Sequence, residues 1–533
     1  MKRILSLLLV LSLILGLGLV NASAAPAFKD GKFTEPVTIQ VEIYNRSNDG
    51  GSDPTNNKFT DYIKKGMLEK YNINVEYVSV PRWTEVDEIN NLLAAGDAPD
   101  VCVTYSYPTI QTYATMGGVL DLAPYIEEHK DKLTNLFNLL GDYNIYYDQD
   151  PTTGELWAIE AILAVRARIN LFVREDWLAK LNMAAPTTIE EFEAMLVAFK
   201  DNAELLLGAD AARMIPYTTS YDIGWRNDHM LTSFVPDATP DDELYVKGFD
   251  DRHLLYPGYK EGVRMLNKWY NMDLLWKDFA LYGSGDTTED SYIKAGFVGA
   301  FMHNWDYPYR NGDESIIANL KRNVGEEANY IAIECFKNDA GVYRKFLADS
   351  IDRKVFFPAT NDQPLASLLY LDFLSTPEVV KYLQIGDEGI NHVVTENGGI
   401  QTLAAKAPDI QNSGMNIDYT ITINGLNLFD AELTGKSKAL NYPGIDPDDV
   451  VQSIYASTHD GRTVAHFNVG AIEAEAGIGT TLTDKRDAFL CKAVVASPEN
   501  FDAVYDAGMA DYLASGGQDI IDERAEKIGY TGN

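Results

Sequence analysis

Cysteine is scarce in this 533-residue chain: Cys102, Cys335 and Cys491 lie far apart. That excludes both a disulfide framework and a cysteine zinc site, leaving at most one pair and a thiol over. Positive charge is short as well, with 44 Lys and Arg against 79 Asp and Glu and a formal charge of −35. Phosphate-bearing partners are held by clustered cations, so nucleic acid and anionic lipid are excluded and the solute is expected to be neutral or cationic. Beyond the first 24 residues there is no long apolar run of the kind that crosses a membrane. Catalytic signatures are missing too: the mature chain has no H-E-x-x-H, no G-x-S-x-G, no G-x-x-x-x-G-K and no dinucleotide fingerprint. The seven histidines are dispersed, and His459 and His466 lack companion ligands, so they read as surface or core histidines. The run Asp148–Glu155 is only faintly like a calcium loop, because Thr153 holds the obligatory glycine position, and it reads as a turn. No metal and no cofactor is expected.

What is present is a globular composition, 46% apolar and 23% charged, in a chain long enough for two to four domains or one bilobal body. Residues 1–24 read as an export signal: Lys2 and Arg3, an apolar run from Ile4 to Val20, then Ala22-Ser23-Ala24 before a mature start at Ala25. The exported chain then keeps 42 cations against 79 anions, a charge of −37. No cysteine lies near the cleavage point, so the usual lipid attachment site is absent. The expected location is outside the cytoplasmic membrane, at the cell surface or in a periplasm.

Val37, Ile39, Val41 and Ile43 alternate with polar residues and predict a strand ending at Tyr44. A helix through Phe59, Tyr62, Ile63 and Leu68, a strand over Ile73–Val80, a helix carrying Val86, Ile89, Leu92 and Leu93, and a strand at Val101–Tyr105 follow. Parallel β-α-β-α-β connections of this kind place the loops at the carboxyl edge, where open α/β sheets bind ligands. Apolar runs at Ala158–Val165, Ile169–Val173 and Ala295–Phe301 predict further strands. Thr188 caps a helix with Glu191 reaching back, and a helix led by Pro377 stops at Gly386. Glu175-Asp176 at a helix start reads as structural.

Several segments in order then match a known family. They are Ala94–Val101, Tyr113–Leu122, Phe172–Leu178 followed by Pro186–Phe192, Gly386–His392 and Tyr512–Gln518. Together they make the chain resemble the family 1 extracellular solute-binding proteins of bacterial ABC importers, in the long Gram-positive branch that is usually lipid-anchored. The missing cysteine departs from that branch. The resemblance implies a two-lobed α/β fold of the periplasmic-binding-protein type (type II) with a hinge between the lobes. The expected lobes are residues 25–157 with 340–400, and 158–339 with 401–533. The implied function is capture of a carbohydrate in the inter-lobe cleft, without catalysis, by a monomer that partners the membrane permease.

Sugars need aromatic platforms and planar hydrogen-bonding groups, which singles out certain positions. Trp305 and Asp306 follow the strand ending at Phe301, where the resemblance implies an aromatic for stacking. Tyr44, Asn45 and Arg46 form the loop after the first strand, and Tyr105 ends the third. Glu160 and Arg166 flank an apolar run where the resemblance implies the first crossing between lobes, and Arg166 either clamps solute or pairs with an acid. Trp225 sits in a turn and reads either as cleft lining or as packing. An exported glycan hydrolase stays open, since its two acids need no motif. So do a peptide or cationic solute in the same fold and a receptor feeding a sensor kinase.

Overall fold

The structure is a computed structural model, and it describes residues 26–46, 53–283, 286–338, 340–403, 418–442, 444–467, 469–470 and 472–532. The expected signal segment and part of the loop after Asn45 lie outside these. The alternating residues at 37–43 form β1 (Val37–Asn45), with Ile39, Val41 and Ile43 buried. Helix α1 (Lys58–Tyr71) opens on Asn57, whose side chain accepts from the backbone of Phe59 and Thr60 while Thr60 returns a bond to Asn57 N–H. β2 (Ile73–Pro81), α2 (Glu85–Ala95), β3 (Cys102–Thr104) and α3 (Tyr107–Thr115) complete the expected alternation. β1 and β2 pair in parallel from Val37↔Ile73 onward, and a parallel bridge Val41↔Val101 joins them to β3.

Four later strands follow: β4 (Ile159–Leu163), β5 (Ile169–Arg174), β6 (Ile215–Thr218) preceded by helix α4 (Ile189–Asp201), and β7 (Val298–Asn304). β8 (Tyr330–Ile333), β9 (Ile351–Phe356), helix α5 (Pro377–Ile385) and β10 (Ile423–Asn424) come next. β10-β4-β9-β3 form one sheet, which the Val41 bridge extends to β1 and β2. β8-β5-β7-β6 form the other. Each sheet carries its own hydrophobic core, one built from residues between 33 and 159 and between 355 and 421, the other from residues between 169 and 336 and between 439 and 520. This is a two-lobed α/β fold, with the chain passing between cores at 160–168, 337–354 and 422–438.

The lobe boundaries differ from the sequence expectation at three places. β4, expected in the second lobe, pairs with β9 and β10 in the first sheet. Residues 418–424 likewise pack in the first lobe, where buried Arg353 donates to the carbonyls of Thr420, Ile421 and Ile423. Phe346, expected in the first, clusters with Val235, Leu244 and Tyr256 of the second. The strand expected from Ala295 begins at Val298, because Gly296 takes φ +84° after a helix that runs to Lys294.

Local signals elsewhere hold. Thr188 Oγ1 accepts from Glu191 N–H at 3.2 Å, but Glu191 reaches back one residue further than expected, to Thr187 N–H at 2.8 Å. Gly386 ends α5 at φ +63° with its N–H on Tyr382 O. Asp176 accepts two of the three guanidinium bonds of buried Arg174, the third going to Gly296 O, a structural role. All three thiols are unpaired. Among the described residues no helix is long and apolar enough to cross a membrane.

Candidate functional site

A cavity of about 510 Å³ lies between the two lobes. In the first lobe, α3 places Tyr107 on its wall, and the Tyr107 hydroxyl donates to Asp148 O at 3.3 Å. Antiparallel pairing sets Lys354 of β9 directly opposite Glu160 of β4, so both face the cavity from one side of the sheet, 3.3 Å apart. Glu160 is fully buried, and no hydrogen bond from a neighbouring N–H or hydroxyl reaches its carboxyl oxygens or Asp148 Oδ2. The two carboxyls act on each other electrostatically. Burial pushes both up, Asp148 well above the ordinary carboxylate range, and the charge of Glu160 pushes Asp148 further.

A stability difference follows from the sign of those shifts. Groups whose folded values lie above the unfolded value of about 4 favour folding below that pH and lose the contribution as pH rises through the folded values. Asp148→Asn is therefore expected to stand closest to the wild type near pH 3 and to gain on it by about 1 kcal/mol or more between there and pH 7.5. Urea denaturation midpoints at the two pH values check it, and a difference independent of pH would contradict it.

The second lobe supplies Arg168, just ahead of β5, with Tyr245, His253 and Tyr256. Asp228, fully buried behind them, holds His253 Nδ1 at 2.7 Å and lies 3.5 Å from Arg168. Burial alone would raise Asp228, but His253 and Arg168 outweigh it and hold the carboxyl well below its usual value. The His253 ring stacks on Phe346 at 5.5 Å, which fixes its orientation toward the cavity. The opposed walls thus offer aromatic rings with donors and acceptors of both signs, suited to a ligand rich in hydroxyl groups.

Of the nine residues singled out from sequence, Glu160 lines this cavity and Arg166 lines an adjoining one. Tyr44, Asn45, Arg46 and Tyr105 gather at the carboxyl edge of the first sheet. There Tyr44 is buried and donates to Val103 O, Tyr105 stacks on it, and Arg46 forms a two-bond ion pair with buried Asp418. Sequence reasoning missed their neighbours: Arg82, whose guanidinium sits 4.2 Å from the Tyr105 ring, and Trp83, 73% exposed. A Pro-Arg-Trp run at the end of a predicted strand was the available signal.

Trp305, Asp306 and Trp225 line neither cavity. Trp305 meets Tyr442 edge-on at 6.0 Å, Asp306 accepts from Tyr442 and pairs with Arg310, and Trp225 packs edge-on against His303. The Asp148–Glu155 run is a turn in which Asp150 accepts from Thr152 and Thr153 N–H. Among the described residues no group of three or more His, Cys, Asp or Glu is placed to hold a metal ion.

With this geometry in place, comparison with known proteins is decisive at one point: a sequence model described as bacterial extracellular solute-binding protein matches residues 60–391, more than half of the chain. The chain belongs to the bacterial extracellular solute-binding family. This solute-binding chain is also 20% identical over 374 residues to the polygalacturonan/rhamnogalacturonan-binding protein YtcQ of Bacillus subtilis, covering 68% of this chain and 70% of that one. Its fold is shared with the alginate-binding protein AlgQ2, at a TM-score of 0.60 and 15% identity over 94% of this chain and 99% of that one. It is shared too with the substrate-binding protein FusA of S. pneumoniae, solved with kestose, at 0.61 and 14% over 93% and 99%. Family membership implies an exported protein that binds solute and works with an ABC importer.

Proposed function

We propose that this chain captures a carbohydrate between its lobes and passes it, chemically unchanged, to the membrane subunits of an ABC importer. The observation that carries this reading is the inter-lobe cavity itself. Its walls come from separate cores, so only a solute that touches both stabilises the closed arrangement. Tyr107, Tyr245 and Tyr256 offer faces for apolar sugar C–H groups, while Lys354, Arg168 and His253 offer partners for hydroxyls. The saccharides named for YtcQ, AlgQ2 and FusA belong to the same ligand class.

Capture without turnover is supported by the family, whose description is of solute binding. We further infer export by cleavage after Ala24 and action as a monomer.

A thermal-shift screen of the mature protein against mono- and oligosaccharides tests the reading. A true ligand at a hundred times its dissociation constant is expected to add about 2.7 kcal/mol of stability. A shift from peptides or polyamines, with none from any saccharide, would overturn it.

A further inference from the structure

A second hollow of about 950 Å³ adjoins the first, and the two share Tyr147, Asp349 and residues 463–466 as a common wall. That wall is a short bridge of chain. At one end Arg462 exchanges backbone bonds with Lys345 and Leu347. At the other, the His466 ring stacks on Tyr147 at 3.6 Å, with Nε2 2.9 Å from Tyr147 O. A segment following the second lobe's helix Pro447–Thr458 is thus pinned on the first lobe where the two hollows meet.

The second hollow is lined by Tyr143, Tyr146 and Tyr147 together with Arg166 and Asp349. Tyr143 is half exposed, and its hydroxyl donates to Asp349 at 2.9 Å, which fixes the ring edge-on to Tyr147 at 5.4 Å. Arg166 lines the same hollow, is exposed, and makes no ion pair or hydrogen bond among the described residues. In a chain with 79 acids and 44 cations, an uncommitted guanidinium in a tyrosine-lined hollow is left open to incoming acceptors. Its planar fork matches two oxygens side by side, as in a uronate carboxylate or a vicinal diol.

Building on the carbohydrate reading above, we propose that the second hollow is a further saccharide subsite and that the ligand is an oligosaccharide spanning both. One end lies at Lys354 and Arg168, and the other presents paired acceptor oxygens to Arg166. The bridge at 463–466 crosses the ligand between the two subsites.

Isothermal titration of the mature protein tests this, using uronate oligosaccharides and neutral galacto-, manno- and xylo-oligosaccharides from mono- to hexasaccharide. Affinity in the series that binds is expected to rise about tenfold or more between the disaccharide and the tetrasaccharide. Arg166→Ala should remove that gain and leave mono- and disaccharide affinity almost unchanged, with Arg166→Lys in between. Because Arg166 is exposed and unpaired, the substitution spares the fold. Preference for the uronate or for the neutral series identifies which oxygens the guanidinium reads. Full affinity already at the mono- or disaccharide, or an Arg166→Ala effect equal at every length, overturns the second subsite and leaves saccharide capture standing. Failure of every saccharide to bind the wild type overturns both together.

Discussion

Arg353→Ala is expected to destabilise the protein by about 3–5 kcal/mol, read as a fall in the urea denaturation midpoint. The side chain is fully buried, bonds three carbonyls of residues 420–423 at 2.8–3.2 Å, and lies 3.7 Å from Asp418. Those residues lead into the last passage between lobes, so their anchorage also sets where one side of the hinge begins. Removing the guanidinium strands several buried acceptors at once, each costing about 1–3 kcal/mol if left unmade. Arg353→Lys keeps the charge but loses the planar fork, and should fall between the two. A midpoint for Arg353→Ala within experimental error of the wild type would refute this account of the hinge.

His229→Leu is expected to gain stability over the wild type steadily as pH falls from 6.5 to 4. The imidazole is buried against Phe336, and neither nitrogen has a hydrogen-bond partner. Burial drives its pKa down to about 3, and the positive neighbours Lys345 and Arg168 add to this against the opposing pull of Asp228. The unfolded chain takes up a proton near pH 6.5 while the native state resists it, so native stability declines below 6.5. One such group costs about 1.4 kcal/mol per pH unit. His303, half-buried beside Arg226, acts in the same direction. The raised Asp148–Glu160 pair acts oppositely, which is why the informative quantity is the difference between variant and wild type. A difference that stays constant between pH 7 and pH 4.5 would sink the buried neutral histidine.

Legibility in the sequence followed the range of the interactions involved. Alternation at 37–43, the Thr188 cap and the stop at Gly386 are set by neighbours a few residues away, and each stands near its expected place. The strand boundary at Val298 slipped because a positive φ at Gly296 leaves no trace in hydrophobicity. The site was harder to read. Glu160 meets Lys354 across 194 positions of chain, and Asp148 reaches the cavity from what reads locally as a turn. Trp305 does follow its strand, which ends at Asn304 and not at the expected Phe301, but Tyr442 meets its ring edge-on from 137 positions away. His253 was invisible as a site residue because what orients it, Asp228 and Phe346, comes from separate stretches of chain.

The central claim is mechanical: two lobes closing on a saccharide and releasing it intact. Small-angle scattering of the mature protein, with and without a saturating saccharide hit, measures it most directly. A smaller radius of gyration with sugar, and recovery of the same sugar afterwards, is the predicted result. An identical curve with ligand demonstrably bound, or a cleaved sugar in the recovered sample, would contradict the account.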